Sequence, residues 1–439
     1  MVVSDEDSQE MQRRGEIAEM LTDQQYESKS KMRKAPHQRA RANFSSMPRA
    51  LPGGACWVLL IVVGFLVVLV SFIAKGGLDG GTHAAPGDSR HHTYAKGSFR
   101  EAEKLAEQRG QAKDADKLVK AAAAAANPVA HSGPQQAVLG KREVLPDEVE
   151  VVYQTPSTEA KGVILMAHGC AHAATDFFDK GPECTACIGL PVERAIVAAA
   201  LDRGFMVVAV SSGAAFRKER SKCWSPLDDL ARVQAGLRHV LEKHGQKGKK
   251  LPLVVLGASS GGRMALEMAI QETPPAAVAI QIMPVPPTAL TEKFPPAIFW
   301  HMPRDERSAR KIAEDLARLS SLKRPTLELK CNPKAITGTF FSDMMPDVSG
   351  EVSLALYTAL NSKGLLDEKG FLLQDPRKSG WREALKAVPQ VSNGGLSLAK
   401  DQSGVSELMN VAWASHEFCL EGLDQAIDFL ATHAFAKPA

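Results

Sequence analysis

Net charge is nearly absent from this chain: 53 Lys and Arg against 50 Asp and Glu leave +3 over 439 residues. So weak a balance argues for neither nucleic acid nor an acidic partner. Cysteine is scarce as well. Seven residues are too few to scaffold a small disulfide-built protein of this length, although six of them lie in the C-terminal two-thirds. No second Cys-x-x-Cys accompanies Cys184-Thr185-Ala186-Cys187, so a zinc site is not expected, and no metal or cofactor is called for. There is no repeat of solenoid type. No Lys follows the Gly-rich stretch Gly257 to Gly262 at Walker spacing, which excludes a phosphate loop there.

One absence is itself a feature. No charged residue occurs from Ala50 to Ala74, and Trp57 to Ile73 is almost purely Val, Leu, Ile and Phe. A run of about 20 apolar residues matches the hydrocarbon core of a bilayer. The long charged region before it is unlike a cleaved signal peptide, so an uncleaved signal anchor is expected at 50–74. Ser28 to Pro52 carries seven Lys or Arg and no acid. That bias puts the N-terminus in the cytosol and the large domain in the lumen or outside the cell. The single sequon, Asn43-Phe44-Ser45, then falls on the cytosolic side and stays unused. Residues 1–49 read as a disordered tail. Residues 75–145 read as a stalk, with a helix in its Ala-, Glu- and Lys-rich part.

From residue 146 onward short β-branched runs alternate with amphipathic patterns. Strands are expected at Val149–Gln154, Gly162–Ala167, Phe205–Val210, Leu251–Leu256, Ala277–Met283, Ala297–His301 and Thr326–Leu329. Helices are expected between them, one opening at Ser225-Pro226-Leu227-Asp228 with a cap, a first-turn proline and an acid. A final helix covers Leu420–Leu430. Runs buried on both faces and separated by helices indicate an α/β fold with a mostly parallel sheet and helices on both faces. Its chemistry belongs at the carboxyl ends of the strands.

The strand at Leu251–Leu256 leads directly into Gly257-Ala258-Ser259-Ser260-Gly261 and then a helix. This is G-x-S-x-G on a strand-to-helix turn, where a serine is presented as a nucleophile. A serine hydroxyl needs a base, and in this arrangement the acid and then the histidine follow the serine along the chain. His416, in a loop before the last helix, is the candidate base. Asp305, after the strand Ala297–His301, is the candidate acid; the alternative is that it only caps the helix that follows. Asp343 and Asp347 are held in reserve. The oxyanion hole is expected from the amide of Ser260 and from the loop His168-Gly169-Cys170, with Cys170 as donor beside Gly169. His168, His172, Phe177, Phe178 and His301 are candidates to line the substrate pocket. For His301 a structural role is an equal alternative, and the two phenylalanines are open to being core.

These stretches, with Asp176-Phe177-Phe178, Cys184 to Pro191, Lys222-Cys223-Trp224-Ser225 and His301 to Asp305, resemble the α/β-hydrolase superfamily over residues 146 to 435. More narrowly they are similar to an uncharacterised plant and algal branch of it. The resemblance implies the α/β-hydrolase fold and the placement of the triad. It implies no substrate. About 80 residues separate the last strand from His416, a departure that makes 332–410 an insertion, expected to be a helical cap with helices near Glu351–Ser362 and Gly380–Ala387. Cys184, Cys187, Cys223 and Cys331 are disulfide candidates if the domain is lumenal. Free thiols and a redox pair stay open as alternatives, and the connectivity is not legible.

The expected activity is hydrolysis of a small-molecule or lipid-like ester or thioester by a membrane-anchored serine hydrolase. Acyl transfer or peptide cleavage would use the same groups. The alternative from another class is a non-catalytic hydrolase-like binding module.

Overall fold

A computed structural model describes residues 137–219, 221–244 and 250–436. The expected tail, the anchor at 50–74, the sequon and most of the stalk lie outside the described residues. Among the described residues no helix is long and apolar enough to cross a membrane.

Eight strands form one sheet: β1 (Lys141–Leu145), β2 (Val149–Gln154), β3 (Gly162–Ala167), β4 (Phe205–Val210), β5 (Leu253–Ala258), β6 (Ala277–Gln281), β7 (Ala297–His301) and β8 (Thr326–Lys330). Their spatial order is β1-β2-β4-β3-β5-β6-β7-β8. β2 runs antiparallel to both neighbours, and the pairs from β4 through β8 are all parallel. The central strands are buried on both faces, which is why they read as unbroken apolar runs. On β3, Ile164 and Met166 pack into one core and Val163, Leu165 and Ala167 into the other. The two-residue alternation of a strand thus feeds two separate layers.

The helices are α1 (Pro191–Asp202), α2 (Gly213–Phe216), α3 (Pro226–His244), α4 (Ser260–Ala269), α5 (Glu306–Ser321), α6 (Gly350–Ser362), α7 (Trp381–Leu385), α8 (Pro389–Ser392), α9 (Gly404–Trp413) and α10 (Leu423–Phe435). α1 and α10 supply side chains to the first core, and α3, α4 and α5 to the second. Proline opens α1 and α3, where its missing N–H costs nothing.

Several boundaries differ from expectation: β5 and α10 each begin two or three residues later than expected and run further, and two larger shifts concern β1 and the insertion. β1 lies in what reads as the end of the stalk, because its sequence Lys-Arg-Glu-Val-Leu lacks an apolar pattern. Polar contacts hold it instead: Arg142 Nε donates to Glu150 at 2.7 Å, and Glu143 accepts from Tyr153 Oη at 2.6 Å and from Lys243 Nζ at 2.6 Å. The inserted segment also runs past residue 410, ending with α9. It folds around its own core, in which Phe341, Leu356, Leu360, Trp381, Leu385 and Leu408 are enclosed.

Candidate active site

β5 ends at Ala258 and α4 begins at Ser260, so Ser259 must reverse the chain within one residue. It does so at φ 52°, ψ −115°, outside the regions open to an L-residue at low energy. Such a conformation costs on the order of 1–3 kcal/mol and persists only where surrounding contacts impose it. The flanking glycines make it possible. A Cβ on Gly257 would stand 2.2 Å from the carbonyl oxygen of Gly261, and one on Gly261 would stand 2.0 Å from that of Ala167. The backbone N–H of Ser259 donates to Gln281 O at 2.9 Å, which pins the turn to the end of β6.

Three side chains 46 to 157 residues apart in sequence meet at this turn. Ser259 Oγ–H donates to His416 Nε2 at 2.8 Å, and His416 Nδ1–H donates to Asp305 Oδ2 at 2.7 Å. The second bond fixes the tautomer and leaves the Nε2 lone pair facing the serine. Asp305 also accepts from Ser308 N at 3.4 Å as the cap of α5. Each carboxylate oxygen thus has its own contact, Oδ2 with His416 and Oδ1 with the first turn of α5. Burial raises the Asp305 carboxyl, but the hydrogen bond and charge of His416, with the Ser308 contacts, outweigh it and hold the group below its ordinary value. Asp343 and Asp347 lie in the insertion; Asp343 Oδ2 accepts from Thr339 Oγ1 at 2.9 Å, away from His416.

The loop after β3 brings in the oxyanion candidates. Gly169 O accepts from His168 Nδ1 at 2.7 Å and from His172 N at 3.4 Å. A trans peptide then points the Cys170 N–H the opposite way. Among the described residues no acceptor takes that N–H. Ser260, at the first position of α4, has an amide with no partner inside the helix. Gly169 lies 3.7 Å, measured from an ideal Cβ position, from Ala258 O, which sets this loop beside the serine turn.

The pocket candidates need correction. His168 is fully enclosed. Its Nε2 accepts from Ser212 N at 3.0 Å, so the ring ties the end of β3 to the end of β4. Burial drives its pKa down to about 4 against the partial pull of Gly169 O, and the ring is neutral. Phe177 and Phe178 have no exposed surface; Phe177 packs edge-on against Phe418, 6.0 Å between centroids, beneath the His416 loop. His301 is enclosed and bonded to Glu328 Oε1 at 2.9 Å through Nε2. His168, Phe177 and Phe178 have no open surface to offer a substrate, and His301 keeps only 6%. His172 is nearly enclosed. Burial acts against its charge, but the hydrogen bond and charge of Asp176, 3.0 Å away, and the charges of Glu193 and Glu417 raise it to about 9.

Three disulfides brace these loops: Cys170–Cys223, Cys184–Cys187 and Cys331–Cys419. The four cysteine candidates are all bonded. Cys170 and Cys419 were missed as partners, although six cysteines in the folded part already imply three pairs. Cys184 and Cys187 are enclosed, which suits a brace and not a redox centre. Cys170–Cys223 joins the loop after β3 to the 221–225 loop. Beside it Trp224 Nε1 donates to His168 O at 2.8 Å and Ala171 N to Ser221 O at 2.7 Å. Cys331–Cys419 ties the end of β8 to the strand of chain just past His416.

Sequence reasoning also missed a buried acid pair. Glu193 of α1 and Glu407 of α9 are both enclosed, and Glu407 Oε2 accepts from Val192 N at 3.2 Å. Burial, then the charge of Glu407, push Glu193 well up; burial raises Glu407 to about 7.

The strand order, the serine turn after β5, the acid after β7 and the histidine ahead of the last helix together define the α/β-hydrolase fold, and this chain has it. No family model matches the sequence, and no curated protein matches it. Solved structures do align. The propionate-bound esterase 2 of Thermogutta terrifontis is 13% identical, with 55% of this chain and 100% of that chain covered, at a TM-score of 0.34. A sugar hydrolase from Lactococcus lactis is 14% identical, covering 49% and 90%, at 0.35. An esterase of Pyrococcus furiosus is 12% identical, covering 47% and 89%, at 0.32. Likenesses at this level carry no argument about chemistry, which rests on the geometry of the chain itself.

Proposed function

We propose that this protein is a serine hydrolase that cleaves a carboxylic ester or thioester through an acyl-enzyme. The observation that carries the reading is the unbroken hydrogen-bonded line from Ser259 through His416 to Asp305, built on a serine held in a strained turn. Ser259 Oγ attacks the substrate carbonyl carbon while His416 Nε2 takes its proton. The carbonyl oxygen gains negative charge, which the amides of Ser260 and Cys170 hold. The tetrahedral intermediate collapses, His416 protonates the departing alcohol or thiol, and an acyl group remains on Ser259. Water then gives its proton to His416 and attacks the acyl carbon, and the acid is released as Ser259 regains its hydrogen. Asp305 stays ionised throughout and steadies the imidazolium. The His416 side chain is 48% exposed, so water reaches the base freely. That favours hydrolysis over transfer to a second substrate, and a complete set of groups argues against a mere binding module.

The insertion serves as a cap beside the site, and the substrate is a small-molecule or lipid-like ester. The three disulfides support an oxidising compartment for the domain. This agrees with an anchor at 50–74, an N-terminus in the cytosol and a lumenal or extracellular catalytic domain. Protection of the domain from protease in sealed microsomes tests the orientation; digestion without detergent refutes it. A fluorophosphonate probe tests the chemistry. Labelling that disappears in Ser259→Ala is expected, and a folded wild-type protein that takes no label refutes the proposal.

A further inference from the structure

His416 does not sit at an easy place in the chain. It has φ 57°, and Ala414, two residues earlier, has φ 56°. Both lie in the left-handed region that non-glycine residues avoid. Two such residues in three do not hold themselves, so something outside the loop must.

Four carbonyls of this loop, those of Ala412, Trp413, Ser415 and His416, are taken by groups from elsewhere in the chain. Lys334 N donates to Ala412 O at 3.0 Å, and Arg304 Nη1 to Trp413 O at 3.1 Å, with the Arg304 guanidinium lying 3.7 Å over the Trp413 ring. Then Arg377 Nη1 donates to Ser415 O at 2.7 Å, and Arg377 Nη2 to His416 O at 2.8 Å. Nη2 also approaches Glu417 Oε2 at 3.4 Å, and that oxygen accepts from Asn410 Nδ2 at 2.9 Å. Arg377 is itself seated, since its backbone N–H donates to Asp375 Oδ1 at 2.9 Å. A planar guanidinium meets two successive carbonyls with two parallel N–H bonds, a geometry that lysine does not reproduce.

We propose that Arg377, carried by the insertion, is the positioning residue that holds the His416 loop in its left-handed turn and so aims Nε2 at Ser259. The insertion is then a working part of the site and not only a cover. This rests on the serine hydrolase reading of the same site. Arg377 touches neither the serine nor the reacting atoms, so its effect falls on turnover and not on substrate binding.

The test uses the full oxidised chain and three proteins: wild type, Arg377→Met, which keeps the aliphatic stem, and Arg377→Lys, which reaches one carbonyl. Kinetics are read on a short-chain p-nitrophenyl ester, with the rate of fluorophosphonate labelling alongside. Hydrogen exchange of the amides from Ala414 to Phe418 reports the loop independently of activity. For R377M a roughly 10- to 100-fold loss of kcat and of labelling rate is expected, with KM within about twofold, as for a misaimed base. Loop exchange should quicken while the sheet core is unchanged. R377K should recover part of both effects, and it carries the test if R377M does not fold. An active wild type with R377M equal to it in labelling rate and exchange overturns the proposal, as does a loss confined to KM. A wild type that takes no label, with exchange still quickened in R377M, overturns the hydrolase reading and leaves the tie standing. No label and no change in exchange overturn both.

Discussion

Replacing Glu407 by glutamine should stabilise the protein above neutral pH. Glu407 is enclosed between α9 and α1 and is raised from 4.5 to about 7, chiefly by burial, with Glu417 and Asp176 adding repulsion and Glu193 and Val192 N partly offsetting it. A group whose pKa is higher in the folded protein favours folding while it is neutral. That contribution is complete below pH 4.5, drains away as the pH climbs to about 7, and stays lost above it. At about 1.4 kcal/mol per pH unit, the gap comes to about 3 kcal/mol. Glutamine cannot ionise, yet its oxygen can still accept from Val192 N. The other groups near Glu407 are common to both proteins, so His172 and Asp176 largely drop out of the difference. Urea unfolding of the oxidised chain at pH 4.5 and pH 8 is the assay, with stability taken as the midpoint times the slope. Near-equal stabilities are expected at the lower pH, and Glu407→Gln ahead by about 3 kcal/mol at the higher. A variant no more stable than wild type at pH 8 refutes the reading of Glu407 as an acid that burial raises.

Four further outcomes rest on the same geometry. Asp305→Asn should keep α5 capped, since asparagine caps as well as aspartate, yet reverse the tautomer of His416; kcat should fall about 10⁴-fold with little change in the thermal midpoint. Gly261→Ala should leave little folded protein in an expression and circular dichroism assay, because its Cβ would meet the Ala167 carbonyl carbon at 2.6 Å and its oxygen closer still. Cys331→Ser with Cys419→Ser opens a loop of 88 residues and should lose about 4 to 5 kcal/mol in urea unfolding on the chain-entropy account. Breaking Cys170–Cys223 instead loosens an oxyanion donor, so the rate of ester turnover should drop by more than the stability does.

Much of the layout was legible in the sequence because it is set by short-range rules. Strands buried on both faces must be apolar throughout, as β3 and β4 are, and a serine forced through a one-residue reversal must have glycine two places to either side. Those constraints act within a few residues and leave their mark in the order of the letters. β1 escaped because its stability comes from Glu150, Tyr153 and Lys243 and not from an apolar pattern of its own.

What only the tertiary structure decided, apart from the Ser259–His416–Asp305 line, is the set of pairings made across the chain. Cys170 chose Cys223 and Cys331 chose Cys419 over separations of 53 and 88 residues. Val192 and Glu407 meet across 215 residues, and Arg377 reaches back from the insertion to the His416 carbonyls. Whether His168, His301, Phe177 and Phe178 faced a substrate or the core was equally undetermined, since one residue type serves both places. The physical reason is common to all of these: such contacts depend on the path the folded backbone takes between them, and no local spacing records that path.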